Sequence, residues 1–503
     1  MKNIIDMKKW QTFVLLPILF CWFNSYAQDY QATLKDYDSK EVIPFASILF
    51  TTNNGVITNE EGKFSLNLSE IKQDSIYISS VGYLKKGFAI NTLKDSVLYL
   101  KSAIENLDLV YVSKENYTAN DIINLVEDNM ALNYKASFTN QKIFYRSSFT
   151  SKIKKFNTKI KKSSIPEIDQ KLLDSIQGLI PKNMASHLEV LGNYYTNGKT
   201  PKLTVTKAAK LYNKKINHSI KGISEIFEKL LTQNTKPNSY LKVKSGIFSS
   251  KVQVDSILSD SEKAKDLEKK LKDSLGNNSP KNNLINVKYG IRNLYKSLFY
   301  AEDPTFNLID KKNRYNYTLN GYTLVNDEPC YIINFNPKGK KKFKGTLFIN
   351  VNDFAIVQMD YTNIKPLKSF SLFGISFSQH LYTSKVLFRK KGNYYLPYFI
   401  QLSRGDKFRI KRPLTIIEKN KHVKGRRKQN EVAMKMEFQV EQVYSKQFFV
   451  YETSEISEND FNNLKENKKY KATYLPKYDP SFWAKENIVA PNTAIQNFTT
   501  KNL

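Results

Sequence analysis

Over the first hundred residues, apolar and polar positions alternate in short runs at 30–34, 45–50, 63–68, 75–79, 86–90 and 96–100. That is the period of half-buried strands. Turn chemistry separates the runs: Asp36-Tyr37-Asp38-Ser39, Asn53-Asn54-Gly55, Glu60-Glu61-Gly62 and Val81-Gly82-Tyr83. Gly55 and Gly62 stand where the backbone must reverse. Several short strands at such spacing predict a β-sandwich.

Beyond residue 100 the period changes. Thr118 suits a helix N-cap, Asp121 lies near the helix's positive end, and Ile122, Ile123, Val126 and Met130 recur at helical spacing. Residues 134–150 turn strand-like again. From 152 to 283 the chain is lysine-rich, with amphipathic stretches at 216–231 and 254–275, and reads as a lid or packing layer around the sheets. From 300 to 450 strands dominate, at 314–319, 322–325, 330–335, 345–351, 354–361, 376–388, 394–403, 408–417 and 432–443. Asn326-Asp327-Glu328-Pro329 and Asn352-Asp353 supply hairpin turns. Tyr331, Ile333 and Phe335 share a face, as do Leu347, Ile349 and Val351, which predicts a curved antiparallel sheet with one apolar side. Near the end, Phe482 and Trp483 are expected to plug an apolar gap.

The succession Ile43-Pro44-Phe45-Ala46-Ser47-Ile48, Thr58-Asn59-Glu60-Glu61-Gly62-Lys63-Phe64 and Ser79-Ser80-Val81-Gly82-Tyr83 resembles the carboxypeptidase-like regulatory domain. The resemblance implies a transthyretin-like sandwich of the kind that opens exported proteins of Bacteroidetes, closed by a strand at 104–112. It implies no peptidase activity. The later strands and the stretch 478–488 resemble the β-rich segment and closing motif found after this domain in Bacteroidetes envelope proteins. The fold class is therefore mainly β with α segments, in five parts. These are a signal peptide (1–27), the sandwich (28–112), a mixed helical and lysine-rich region (113–300), an antiparallel meander (301–450) and a tail (451–503).

The N-terminus adds a compartment. Lys2, Lys8 and Lys9 precede an apolar run at 10–23, shorter than the ~20 residues of a membrane span, and Ser25-Tyr26-Ala27 offers a cleavage site. Cys21 follows Ile18-Leu19-Phe20, which lack the small residues of a lipidation site. Removal of 1–27 from 503 residues leaves 476, and takes the net charge from +31 to +29 by deleting three lysines and Asp6. Cys330 is then the only cysteine, so no intrachain disulfide forms. No later segment is apolar for long enough to be a transmembrane helix.

A charge this positive points to nucleic acid, an anionic membrane surface or plain solubility. Nucleic acid is set aside: an exported protein rarely meets it, and the lysines are scattered through loops and helices. The expected partners are an envelope protein or an anionic lipid or glycolipid surface. Two basic clusters are the candidates for such contact: Lys338, Lys340, Lys341, Lys342 and Lys344 at a hairpin tip, and Lys421, Lys424, Arg426, Arg427 and Lys428 in a loop. The bland reading is solvated charge that discourages edge pairing.

Catalytic patterns are missing from the sequence. Val190, Lys221, Thr383 and Gly425 stand third after His187, His218, His380 and His422, so no H-x-x-E or H-E-x-x-H metal pair begins at any histidine. Cys330 reads as a small buried hydrophobe. Gly374-Ile375-Ser376-Phe377-Ser378 lacks the second glycine of a nucleophile elbow. No catalytic residue, cofactor or metal is assigned. The sequence reads as an exported, non-enzymatic protein of the periplasm or outer membrane, a binding or assembly module with a ligand- or partner-docking sheet. The alternatives are an outer-membrane transport-associated protein or small β-barrel, and a hydrolase whose residues meet only in three dimensions.

Overall fold

A computed structural model describes residues 29–51, 54–103, 116–134, 137–246, 248–254, 283–302, 304, 306–420, 422–467 and 470–500. The export segment, the expected closing strand at 104–112, Lys421 and nearly all of 254–275 lie outside the described residues.

The N-terminal unit is two small sheets face to face. Its strands are β1 (Asp29–Asp36), β2 (Ser47–Leu49), β3 (Gly55–Ile57), β4 (Lys63–Asn67), β5 (Ser75–Ser79), β6 (Lys86–Ala89) and β7 (Val97–Leu100). They pair in the orders β4-β1-β7 and β3-β2-β5-β6. The alternation read from the sequence supplies the core: Leu34, Ile48, Leu66, Ile76, Ile78 and Leu100 are fully buried. Gly62 turns the chain at φ +71°, where an added Cβ would lie 2.8 Å from the Leu34 carbonyl oxygen.

The rest builds one large sheet. Its strands are β8 (Thr139–Ser163), β9 (Asn183–Thr196), β10 (Pro201–Tyr212), β11 (Ser239–Ser245), β12 (Phe248–Gln253), β13 (Tyr315–Val325), β14 (Glu328–Pro337), β15 (Phe343–Asn350), β16 (Ile356–Asn363), β17 (Ser369–Leu372), β18 (Ile375–Lys391), β19 (Tyr394–Asn420), β20 (Lys428–Glu455) and β21 (Thr473–Leu475). The path runs β13-β14-β15-β16-β18-β19-β20-β8-β9-β10-β21. Its two ends do not pair among the described residues, so the described sheet is open and the small-barrel expectation is overturned for it. The middle region is likewise not a layer around the sheets, since β8 to β12 are strands of this sheet. Asn326 and Asp327 both take positive φ (52° and 67°), the conformation of a tight hairpin turn, as their sequence predicts.

The α-helices among the described residues are α1 (Ala119–Asn133), α2 (Gln170–Leu179), α3 (Lys214–Asn234), α4 (Asn283–Lys296), α5 (Glu458–Asn463) and α6 (Thr493–Gln496). Thr118 and Asp121 form a full capping box at α1, which buries Ile122, Ile123 and Val126. Because strand side chains alternate, the paired positions Ile333, Leu347, Met359, Val386, Ile400, Phe448 and Tyr145 share one face of the sheet. The chain itself fills this face. Phe306 lies 4.4 Å from the Tyr361 ring and 5.3 Å from Phe335, while Tyr295 of α4 packs between Tyr194 and Phe448.

Candidate functional site

The opposite face carries a belt of polar residues across eight strands: Asn334, Thr346, Asp360, Lys385, Gln401, Gln447, Arg146 and Glu189 are successive cross-strand partners. The sandwich rests on this face. Phe45, at φ 58°, stacks on Phe399 at 5.3 Å, and Ser47 Oγ lies 2.9 Å from the Tyr398 hydroxyl.

At the β9 end the belt is buried. Arg146 donates to Glu189 at 2.7 Å, to Gln447 at 3.1 Å and to the Val489 carbonyl at 2.8 Å, and the ion pair is almost wholly out of solvent. Trp483 donates its indole N–H to the other Glu189 oxygen at 2.9 Å and meets Phe144 edge to face. The ring is buried, but it meets a polar cluster as well as Phe144 rather than the purely apolar gap expected from sequence. The tail also grips the sandwich. Asn59 Oδ1 accepts from the Glu61 and Lys63 amides, leaving its Nδ2 to donate to the Pro491 carbonyl. Asn67 is held by Asn487 and Ala484. The Asn59-Glu60-Glu61-Gly62 turn, read in sequence as a turn alone, is therefore the clasp between sandwich, tail and sheet.

At the β14 end the belt is open. A trough of about 610 Å³ runs along it, lined by Phe45, Asn334, Thr346, Asp360, Lys385 and Gln401, and a cleft of about 250 Å³ continues beneath the sandwich past Ser47 and Tyr398. Lys385 donates to Asp360 at 2.7 Å, as does Gln358. The lining mixes the aromatic rings of Phe45, Phe335 and Tyr361 with amides, hydroxyls, Lys344, and the Asp360 carboxylate paired with Lys385.

The sequence-predicted basic residues fall at two hairpin tips. Lys338, Lys340 and Lys344 are exposed beside the β14–β15 turn. Lys341 is tied to Asn307 at 2.9 Å, and partial burial, Lys311 and Arg314 hold its pKa below the usual lysine value. Lys342 is consumed structurally, donating to the Pro366 and Leu367 carbonyls at 2.8 and 2.7 Å. Lys424, Arg426 and Arg427 are exposed at the β19–β20 tip, whereas Lys428 pairs with Glu431.

Between these tips lies a feature that the expectation of scattered lysines missed. β8, β19 and β20 extend together as an arm, about 50 Å for the fifteen steps from Gly405 to Asn420, bordered on the β19 edge by β18 as far as Ile410 and by β11 from Thr415. One face of the arm is apolar, with Phe408, Val440 and Ile153 in one row and Ile410, Phe438 and Phe156 in the next. The other face aligns Lys407, Glu441 and Lys152, then Arg409, Gln439 and Lys155, then Lys411, Glu437 and Asn157, then Pro413, Lys435 and Lys159. With Lys162 and Glu431 farther out, these rows set eight cations beside three carboxylates, and the bulged Lys154 reaches Glu441 as a ninth. Arg409 and Lys155 share Glu437, Lys407 takes Glu441, and Lys162 takes Glu431. Lys152, Lys159, Lys411 and Lys435 form no salt bridge among the described residues. The signal was present in sequence as lysines between isoleucine and phenylalanine at 152–162, a strand period inside a stretch dominated by charge.

For chemistry, a Ser–His contact forms between β8 and β9. Ser148 Oγ lies 2.9 Å from His187 Nδ1, but the ring is buried against Phe498, and burial with Arg146 nearby lowers its pKa to about 4. Glu189, the neighbouring carboxylate, is spent on Arg146 and Trp483. The pair lines neither the trough nor the cleft. His380 contacts Glu441 at 3.2 Å. Cys330 is buried and its thiol pKa is pushed well up by burial. Among the described residues no group of three metal-ligating side chains gathers, and no helix is long and apolar enough to cross a membrane.

Residues 32–112 match the CarboxypepD_reg-like domain family, so the N-terminal sandwich is a domain of that kind. No curated protein matches the chain. Among solved structures, it is similar to a putative outer membrane lipoprotein-sorting protein domain from Vibrio parahaemolyticus at 7% identity, over 68% of this chain and 97% of that one, with a TM-score of 0.20. A LolA superfamily protein from Nitrosomonas europaea gives 10% identity over 70% and 99%, with a TM-score of 0.17. The Pseudomonas aeruginosa MucA/MucB complex gives 6% identity over 63% and 93%, with a TM-score of 0.16. At TM-scores this low the likenesses carry no weight for function.

Proposed function

We propose that this chain is an exported, non-catalytic binding protein of the cell envelope that docks on an anionic surface through its arm. The observation that carries the reading is the arm's charged face, where nine cations on three strands meet three carboxylates. Lys338, Lys340 and Lys344 at one tip, and Lys424, Arg426 and Arg427 at the other, extend the same positive field. Each cation close to an anionic bilayer contributes about 1 kcal/mol at most, so a stripe of this size gives firm but salt-sensitive attachment. The tail is hydrogen-bonded to both the sandwich and the sheet behind the arm, and the Ser148–His187 pair does not line the trough.

The test is co-sedimentation of the full chain with vesicles containing phosphatidylglycerol, against vesicles of phosphatidylcholine alone. Binding to the first and not the second is expected. The combined variant Lys159→Glu, Lys411→Glu and Lys435→Glu should lose most of it. Equal binding of parent and variant, or none by the parent, would end the reading.

A further inference from the structure

The strongest unassigned feature is apolar. Phe248, Ile364, Phe370, Leu372 and Phe373 are each about half exposed, from 46% to 56%. Ile364 lies in the segment leading into β17, and the other four belong to two hairpins, β11–β12 and β17–β18, that pair with β19 at neighbouring stretches, 415–420 and 375↔410 onward, so their tips meet on its edge. There the rings of Phe248 and Phe373 touch edge to face at 5.7 Å. Contiguous exposed aromatics are unusual on a soluble surface and mark contact with a partner or a membrane.

The tips are built rather than loose. The Lys411 amide donates to the Gly374 carbonyl at 2.7 Å, and a Cβ at Gly374 (φ +78°) would fall 2.3 Å from the Lys411 carbonyl oxygen. Arg412, buried at 7%, donates to the Ser245 carbonyl and sets its guanidinium 5.0 Å from the Phe248 ring. Lys342 clamps the segment leading into β17 through two carbonyls. The apolar side chains are thus held outward by a rigid base.

Charge identifies the occupant. Residues 239–253 contain Lys242, Lys244 and Lys251, residues 364–378 contain Lys365 and Lys368, and neither stretch has an aspartate or glutamate. A second copy would set these lysines against the same lysines. An anionic bilayer offers phosphates to the lysines and an interfacial layer to the rings, and that combination of two signals is what stable surface anchoring requires.

We propose that the joined tips of the β11–β12 and β17–β18 hairpins insert Phe248, Phe370, Leu372 and Phe373 into the interface of an anionic bilayer. The proposal rests on the anionic-surface reading and adds the depth and point of contact. The experiment uses the full chain with phosphatidylglycerol vesicles at about 0.15 M and about 0.5 M salt, the latter chosen to screen surface charge. The triple variant Phe370→Ser, Leu372→Ser and Phe373→Ser is compared with the arm variant Lys159→Glu, Lys411→Glu and Lys435→Glu. The parent should stay bound in part at the higher salt, and the serine variant should lose at least about tenfold in affinity there. A Phe373→Trp variant should show a blue-shifted emission on vesicle addition. If the serine variant binds as the parent does and Phe373→Trp does not shift, insertion is overturned while the charge reading stands. If the parent ignores anionic vesicles altogether, both fall. If the serine variant instead changes only the sedimentation coefficient of the free protein, a second copy is the occupant and insertion is overturned.

Discussion

The Trp483 indole N–H donates to Glu189 at 2.9 Å across 294 positions of sequence. This bond joins the tail to the buried end of the polar belt, and it exists because Glu189 already has Arg146 on its other oxygen. A carboxylate taken out of water needs both partners, since a buried charge left half-paired is costly. Glu189→Gln should therefore destabilise the protein by about 3–5 kcal/mol, because it strands the Arg146 guanidinium in the interior. Trp483→Phe keeps an aromatic ring and removes only the donor, so about 1–3 kcal/mol is expected. Urea midpoints give both values, and limited proteolysis after residue 475 reports whether the tail has let go. Variants as stable as the parent would show that the Arg146–Glu189–Trp483 cluster does not hold the tail.

His187 makes stability depend on pH with a known sign. Burial, with Arg146 adding to it, holds the folded pKa near 4, below the ordinary histidine value of 6.5. The unfolded chain therefore binds the proton first, and stability falls as pH drops from about 6.5 to about 4. A shift of this size corresponds to roughly 3 kcal/mol over that window. His187→Gln removes the titration while keeping a side chain that hydrogen-bonds Ser148. Its unfolding free energy should be flatter than the parent's between those pH values. Parallel curves would place the pH dependence elsewhere.

Phe45 holds the sandwich to the sheet from an unfavourable backbone position. Its φ of 58° is one that bulky side chains rarely adopt, and it is what lays the ring on Phe399. Phe45→Ala loses the stack but keeps the strain, whereas Phe45→Gly loses the stack and relieves it. Phe45→Gly should therefore be the more stable of the two by about 1 kcal/mol. Thermal melts of the pair settle the order, and the reverse order would mean that the turn is unstrained in solution.

The sandwich was legible because its longer strands, such as β4 and β7, alternate with a period of two and its turns carry their own chemistry. The three-residue β3, by contrast, is buried throughout and shows no alternation. Turn chemistry was also legible for Asn326-Asp327 at the first meander turn. The α1 cap was equally plain from Thr118 and Asp121. The arm was not legible. Lys152, Lys155 and Lys159 sit on the outer face of a strand whose inner face is Ile153 and Phe156, but a composition reading hears only the charge. Register is the missing information, since nothing local says that Lys411 stands beside Glu437 or that Lys435 stands beside Lys159. The buried cluster that holds the tail was hidden for the same reason. Arg146, Glu189 and Trp483 are ordinary residues apart, and only the sheet order β20-β8-β9 brings the first two side by side.

The arm's own carboxylates set how strongly it can bind. Hydrogen bonds from Lys428 and Lys162 hold Glu431 at a pKa of about 2, and Arg409 and Lys155 keep Glu437 below the ordinary value of 4.5. Both pKa values are depressed by folding, so the ion pairs are complete above the unfolded pKa and are lost only as pH falls through the folded values. Between pH 7 and about 4.5 these two groups leave the arm's charge unchanged, and vesicle binding should not vary through them. Replacing one of them changes the charge directly. Glu437→Gln frees Arg409 and Lys155 and should tighten binding to phosphatidylglycerol vesicles by about fivefold, the equivalent of ~1 kcal/mol per added positive charge at the surface. The stability cost should be small, because exposed ion pairs contribute about 0–1 kcal/mol. The gain should vanish at high salt. A Glu437→Gln protein that binds no better than the parent at low salt would mean that this face of β8, β19 and β20 never meets the membrane.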